Sequence, residues 1–67
     1  MTRRYSKLQG FPELPDWEFW ATEVSVNVYE VIARKGQTEL KVVKIGDPIE
    51  DAIDECRTKA LLIERGE

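Results

Sequence analysis

Histidine is absent from this chain of 67 residues, and cysteine occurs once, at Cys56. Without histidine, neither the usual serine–histidine catalytic pair nor the commonest transition-metal ligand is present. A single cysteine cannot close an internal disulfide, so no disulfide scaffold stabilises the chain. We therefore expect no enzyme activity, no cofactor and no metal ion, and a reducing, cytoplasmic location.

Long apolar segments and strong charge of one sign are also missing. The longest uninterrupted apolar run covers residues 60–63, whereas a membrane helix needs about 20 apolar residues. The formal net charge is −3, from 10 basic and 13 acidic residues, which is too small to indicate a nucleic-acid or membrane partner. We expect no membrane association and, because Met1 is followed by no signal-peptide pattern, a whole small protein.

The first part of the chain differs from the rest. Residues 1–16 contain Gly10, Pro12 and Pro15, and prolines hold a chain extended because they remove backbone donors. These residues predict an N-terminal extended arm. Residues 17–67 predict a single domain, since the chain as a whole is 42% hydrophobic and 34% charged, a globular balance.

Residues 17–45 predict two or three antiparallel strands, because apolar and polar residues alternate with a period of two. The alternation changes phase after Val28, which requires a β-bulge or a turn near Asn27. A second turn is predicted at residues 34–37. If Lys35 and Gly36 form its two-residue loop, Val31 lies opposite Leu40.

Residues 48–64 predict one helix, with Asp47 as N-cap and Pro48 at the first helical position. Leu61 and Leu62 fall outside its apolar stripe, in which Cys56 is expected to be a core residue. The stripe consists of Ile49, Ala52, Ile53, Cys56, Ala60 and Ile63. The helix would cover one face of the sheet in a small two-layer α+β domain. The other face, with Trp20, Val28, Ile32 and Val43, would be covered by the arm or by a second copy of the chain.

In the order of its strand, turn and helix-cap signals, the chain resembles a group of short bacterial proteins. In these proteins a hairpin precedes a capped helix, and they have no assigned function. The residues that carry the resemblance are Trp20, Glu23-Val24-Ser25, Val28-Tyr29, Val31, Ala33, Gly46-Asp47-Pro48, Ala52-Ile53 and Glu55-Cys56. The resemblance covers roughly residues 17–60 and implies a fold, with no catalytic or ligand residue.

Two functions remain open from the sequence. The first is a small non-enzymatic protein that binds another protein, as an inhibitor or accessory subunit, with self-association as a homodimer included. Its binding candidates are Trp17, Trp20, Val43 and Leu62, because aromatic and apolar residues anchor interfaces. For the tryptophans, core packing where the arm joins the sheet is the first expectation and an interface anchor the second. The alternative is a single-stranded nucleic-acid-binding protein that uses the basic hairpin. Its candidates are Arg34, Lys35, Lys41 and Lys44.

Overall fold

The computed structural model describes residues 5–66, which form one antiparallel sheet and one helix. The elements are β1 (Ser6–Lys7), β2 (Glu18–Ser25), β3 (Val28–Lys35), β4 (Thr38–Ile45) and α1 (Ile49–Glu64). The strands lie in the order β1-β2-β3-β4, and α1 packs on β3 and β4. The predicted α+β class, antiparallel sheet and C-terminal helix are confirmed. The expected count of two or three strands is wrong, because β1 adds a fourth strand.

The connection from β2 to β3 contains both features that the change of phase predicted. Val26 and Asn27 form the turn, and Asn27 has a φ of 61°, a left-handed conformation that asparagine tolerates. The pairing register also shifts between Glu23 and Ser25, which is a β-bulge. Together they place the apolar residues of β3 on the same side of the sheet as Phe19.

The hairpin between β3 and β4 closes one residue later than predicted. Its loop consists of residues 36–37 rather than 35–36, so Val31 pairs with Val42 and not with Leu40. The glycine at the first loop position has a φ of 57°, which favours glycine in a tight hairpin turn. The error moves each partner by two residues, so every side chain keeps its predicted face.

Small side chains line the contact between α1 and the sheet. Ala52, Cys56 and Ala60 are fully buried, four residues apart on the helix. The predicted stripe is wrong at its end, because Ile63 is exposed and Leu61 packs against the core. The buried stripe therefore turns toward the flank of α1 that carries Leu61.

The N-terminal segment packs on that flank of α1. Leu14 is 1% exposed, and the ring of Phe11 meets that of Phe19 edge to face at 5.0 Å. The guanidinium of Arg57 lies 5.4 Å above the ring of Phe11. These contacts explain why the stripe turns. The division into an arm (residues 1–16) and a domain (residues 17–67) stays a prediction, and residues 1–4 lie outside the described residues.

The helix begins without a side-chain cap. The N-cap residue is Pro48, with φ −61° and ψ 151°, and no side chain bonds the first turn. The amide of Asp51 donates instead to the carbonyl of Pro48 at 3.1 Å. The prediction of Asp47 as N-cap is therefore wrong, because the helix starts one residue further along.

This start makes Asp47→Ala a mild substitution. We expect the free energy of unfolding to change by less than about 0.5 kcal/mol, as for an ordinary surface residue. A true N-cap would cost about 1 kcal/mol. Urea denaturation followed by circular dichroism measures the difference, and a loss at the higher value would show that Asp47 caps the helix in solution.

Candidate protein-binding face

In the described part of the chain, one side of the sheet carries no helix. We call the strand side chains that point away from α1 the helix-free face. They belong to Lys7, Glu18, Trp20, Thr22, Val28, Glu30, Ile32, Arg34, Glu39, Lys41, Val43 and Ile45. Trp20 and Val43, two of the predicted binding residues, lie on this face together with Val28 and Ile32, as the alternation predicts.

An open cavity of about 250 Å³ lies on the helix-free face, lined by Tyr5, Trp20, Ile32 and Arg34. The guanidinium of Arg34 lies 5.6 Å from the centre of the Trp20 ring, within range of a cation–π contact that holds the indole in place. Small-molecule pockets usually measure about 300–1,000 Å³. The smaller, open cavity is suited to a single side chain of a partner.

A buried carboxylate holds one wall of the cavity. Glu30 is 3% exposed, and its Oε2 accepts a hydrogen bond from the hydroxyl of Tyr5. The Nζ of Lys41 lies 3.9 Å from Oε1 of the same side chain. A buried carboxylate requires such partners, because its desolvation is otherwise costly. Glu30 thereby fixes the position of Tyr5 at the cavity.

Among residues 5–66, the charged side chains of the helix-free face balance to neutral, although the whole chain has a net charge of −3. Three cations and three carboxylates lie on the face, and each cation is paired with a carboxylate. The pairs are Lys7–Glu18 at 2.9 Å, Arg34–Glu39 at 2.9 Å and Lys41–Glu30 at 3.9 Å. The described part of the face therefore neither attracts nor repels a partner strongly through its charge.

Apolar side chains are exposed at one end of the face. Ile45 is 76% exposed and Val43 is 48% exposed. The amide of Gly46 donates to the carbonyl of Asn27 at 2.7 Å, which brings the exposed Val26 in the β2–β3 turn to the same end of the sheet. This end and the Trp20 cavity together form an apolar surface.

Two of the four predicted binding residues lie elsewhere. Trp17 is buried, and its indole Nε1 donates to Oε1 of Glu64 at 2.8 Å. The Nζ of Lys35 lies 2.5 Å from the same oxygen, and these two hydrogen bonds hold the pKa of Glu64 below its usual value. Leu62 is exposed on α1, which lies on the other side of the sheet. Only Trp20 and Val43 therefore share a surface.

The four cations of the nucleic-acid alternative do not line one groove. Arg34 and Lys41 lie on the helix-free face, whereas Lys35 and Lys44 point to the side of α1. Lys44 pairs with Glu55 of the helix at 2.6 Å, and the other three pair with carboxylates as described above. A single-strand site needs a continuous basic groove, and this arrangement does not supply one.

Cys56 is a core residue. It is fully buried, and burial raises the pKa of its thiol to about 11, so little of it is the reactive thiolate at neutral pH. Within residues 5–66, no cluster of three metal-ligating side chains occurs. The helix in this part of the chain is too short and too polar to cross a membrane.

Comparisons of the chain with protein-family models, with curated proteins and with solved structures give no match.

Three residues of the helix-free face and its cavity were missed by the sequence prediction. Ile45 continues the alternation after Val43, a signal that could have included it. Tyr5 carries no such signal, because β1 has only two residues. A charged residue is normally exposed, so the burial of Glu30 could not be read from its type.

Proposed function

We propose that this protein is a small non-enzymatic binding protein, of the inhibitor or accessory-subunit type, whose helix-free face binds another protein. The observation that carries the proposal is the apolar surface formed by the Trp20 cavity, Val43 and Ile45. Exposed apolar surfaces rimmed by polar residues are typical of protein interaction sites. The exposure of these residues on a sheet side without a helix supports this role.

The geometry indicates how a partner would be held. An apolar side chain of the partner enters the cavity and packs on Trp20 and Ile32. Arg34 has five N–H donors and uses one nitrogen, Nη2, for Glu39, so its other donors can bind a carbonyl or carboxylate of the partner. The neutral ion pairs around the cavity then form the polar rim that surrounds the central anchor of an interface.

The substitution Trp20→Ala tests this role. We expect that a partner protein retained by the wild type from a cell extract at high salt is lost by the variant. With the purified partner, we expect Trp20→Ala to weaken the binding free energy by about 2–4 kcal/mol, as for an interface anchor. Leu62→Ala is the control, because it removes an exposed apolar side chain from the other layer. Titration calorimetry measures both affinities, and circular dichroism checks the fold.

Two results would contradict the proposal. One is a partner whose affinity is unchanged by Trp20→Ala but reduced by Leu62→Ala, which would place the site on α1. The other is tight binding of a fluorescent oligothymidine that weakens steeply with salt and with Lys41→Glu, since salt dependence is typical of phosphate contacts. That outcome would favour the nucleic-acid alternative.

A further inference from the structure

The end of the sheet at the β2–β3 turn exposes apolar side chains. Val26 in the turn is 82% exposed, and Val24 before it and Ile45 at the end of β4 are exposed as well. Ile45 lies opposite Val28 of β3, and side chains opposite each other on paired strands are about 5 Å apart. Together these four side chains form an apolar centre at this end of the sheet.

The carboxylates at the same end form no ion pairs in the described part of the chain. Within residues 5–66, seven of the eight lysines and arginines pair with a carboxylate, but five carboxylates have no such pair. One of the five, Asp16, lies near Lys35 at the opposite end of the sheet. We call the apolar centre and the other four carboxylates, which flank it along the chain, the turn end. These carboxylates belong to Glu23, Asp47, Glu50 and Asp51.

The negative charge of the turn end is only weakly compensated. Glu55, which pairs with Lys44 at 2.6 Å, raises the pKa of that lysine most, and Asp47 and Asp51 raise it further. The charge of Lys44 is therefore already balanced by a carboxylate outside the four. The N-terminus of α1 contributes about half a positive charge. Most of the four negative charges thus remain, next to exposed apolar side chains.

We propose that the turn end binds a cationic segment of the partner protein, in which lysine or arginine residues flank an apolar side chain. The inference rests on the proposed function and deepens it, because it names the charge of the partner. Opposite charges speed the encounter of two proteins and fix their register, while the apolar side chains are buried between them. Ile45 belongs to both the turn end and the helix-free face, so one partner can contact both.

Selection from a library of random peptides tests this partner chemistry. The library is first passed over the immobilised Asp47→Lys variant, which removes peptides that bind elsewhere on the protein, and then over the wild type. We expect the retained peptides to be enriched in lysine and arginine next to apolar residues. A fluorescent synthetic copy of the most enriched peptide is the probe for affinity measurements by fluorescence anisotropy.

Matched variants test where this peptide binds. Asp47→Lys should weaken binding about five- to ten-fold, because it turns the attraction of an exposed charge into repulsion. Asp16→Lys is the control, since it makes the same change of charge at the opposite end of the sheet, and it should change the affinity by less than about two-fold. Val26→Ser should weaken binding about ten-fold through the lost apolar contact. Circular dichroism checks that each variant is folded.

Three results would overturn the inference. The first is a set of retained peptides without an excess of basic residues, or no retained peptide. The second is equal weakening by Asp47→Lys and Asp16→Lys, which would show attraction by the overall charge alone. The third is an affinity that Val26→Ser leaves unchanged, because the apolar centre would then make no contact.

Failure of the proposed function gives a different result. If a retained basic peptide is lost by Asp47→Lys, and the partner protein binds Trp20→Ala as tightly as the wild type, the turn end binds as inferred and the Trp20 cavity is not the site. If the partner is lost by Trp20→Ala but bound equally by Asp47→Lys and Asp16→Lys, the proposed function stands and the turn end has no part in it.

Discussion

Replacing Phe19 with alanine is expected to unfold the protein. The ring is fully buried on the side of α1 and packs edge to face on Phe11 at 5.0 Å. Truncation of such a residue costs about 3–5 kcal/mol. A chain of this length has a total stability of roughly 3–10 kcal/mol, at 0.05–0.15 kcal/mol per residue. Urea denaturation followed by circular dichroism should therefore show a largely unfolded variant or a greatly lowered midpoint.

Val26→Ala is the control for this experiment, because Val26 is exposed in the β2–β3 turn. We expect a change within about 0.5 kcal/mol for the control. If Phe19→Ala were as stable as the control, Phe19 would not lie in the core. The sides of β2 would then be inverted, and Trp20 would not be available for a partner.

Replacing Leu14 with alanine is expected to cost about 2–5 kcal/mol of unfolding free energy. Leu14 is 1% exposed, and its backbone donates to Phe11 at 3.0 Å and accepts from Trp17 at 3.2 Å. The residue lies within the predicted arm, yet it fills the core between the N-terminal segment and α1. Urea denaturation measures the loss.

Leu62→Ala is the matched control, because it removes the same atoms from an exposed position. We expect a difference of several-fold between the two losses. Equal, small losses would mean that the arm at residues 1–16 is detachable, as the division into arm and domain predicts. A large loss only at Leu14 would make this segment part of the folding unit.

Most of the fold was predictable, because three strands and the helix each bury one face. Burial of one face imposes a period of two on β2, β3 and β4 and a helical period on α1. The strand β1 has two residues and is held by its neighbours, so no periodic signal exists for it. The sequence also could not show that Leu61, and not Ile63, packs against the core. The N-terminal segment decides which flank of α1 is covered, and this segment has no periodic signal.

The candidate site was predictable only where it depends on the alternation of apolar and polar residues along the strands. Trp20 and Val43 were found because their strands alternate regularly. The residue type of Trp17 left both a core position and an interface position open, and the indole is buried against Glu64. The cavity itself depends on a hydrogen bond between Tyr5 and Glu30, which are 25 positions apart, and local sequence carries no information about such a contact.

The hydrogen bond between Trp17 and Glu64 joins residues 47 positions apart, whereas β2, β3 and β4 are joined by two-residue turns. Local pairings form quickly and distant contacts form slowly. During synthesis, the three strands can pair before α1 exists, and the part of the sheet that α1 covers stays open to solvent until the helix has been added. A nascent chain therefore passes through a stage with an uncovered apolar sheet. The time that α1 needs to form and pack on the sheet, rather than the pairing of the strands, sets how long the chain is prone to aggregate.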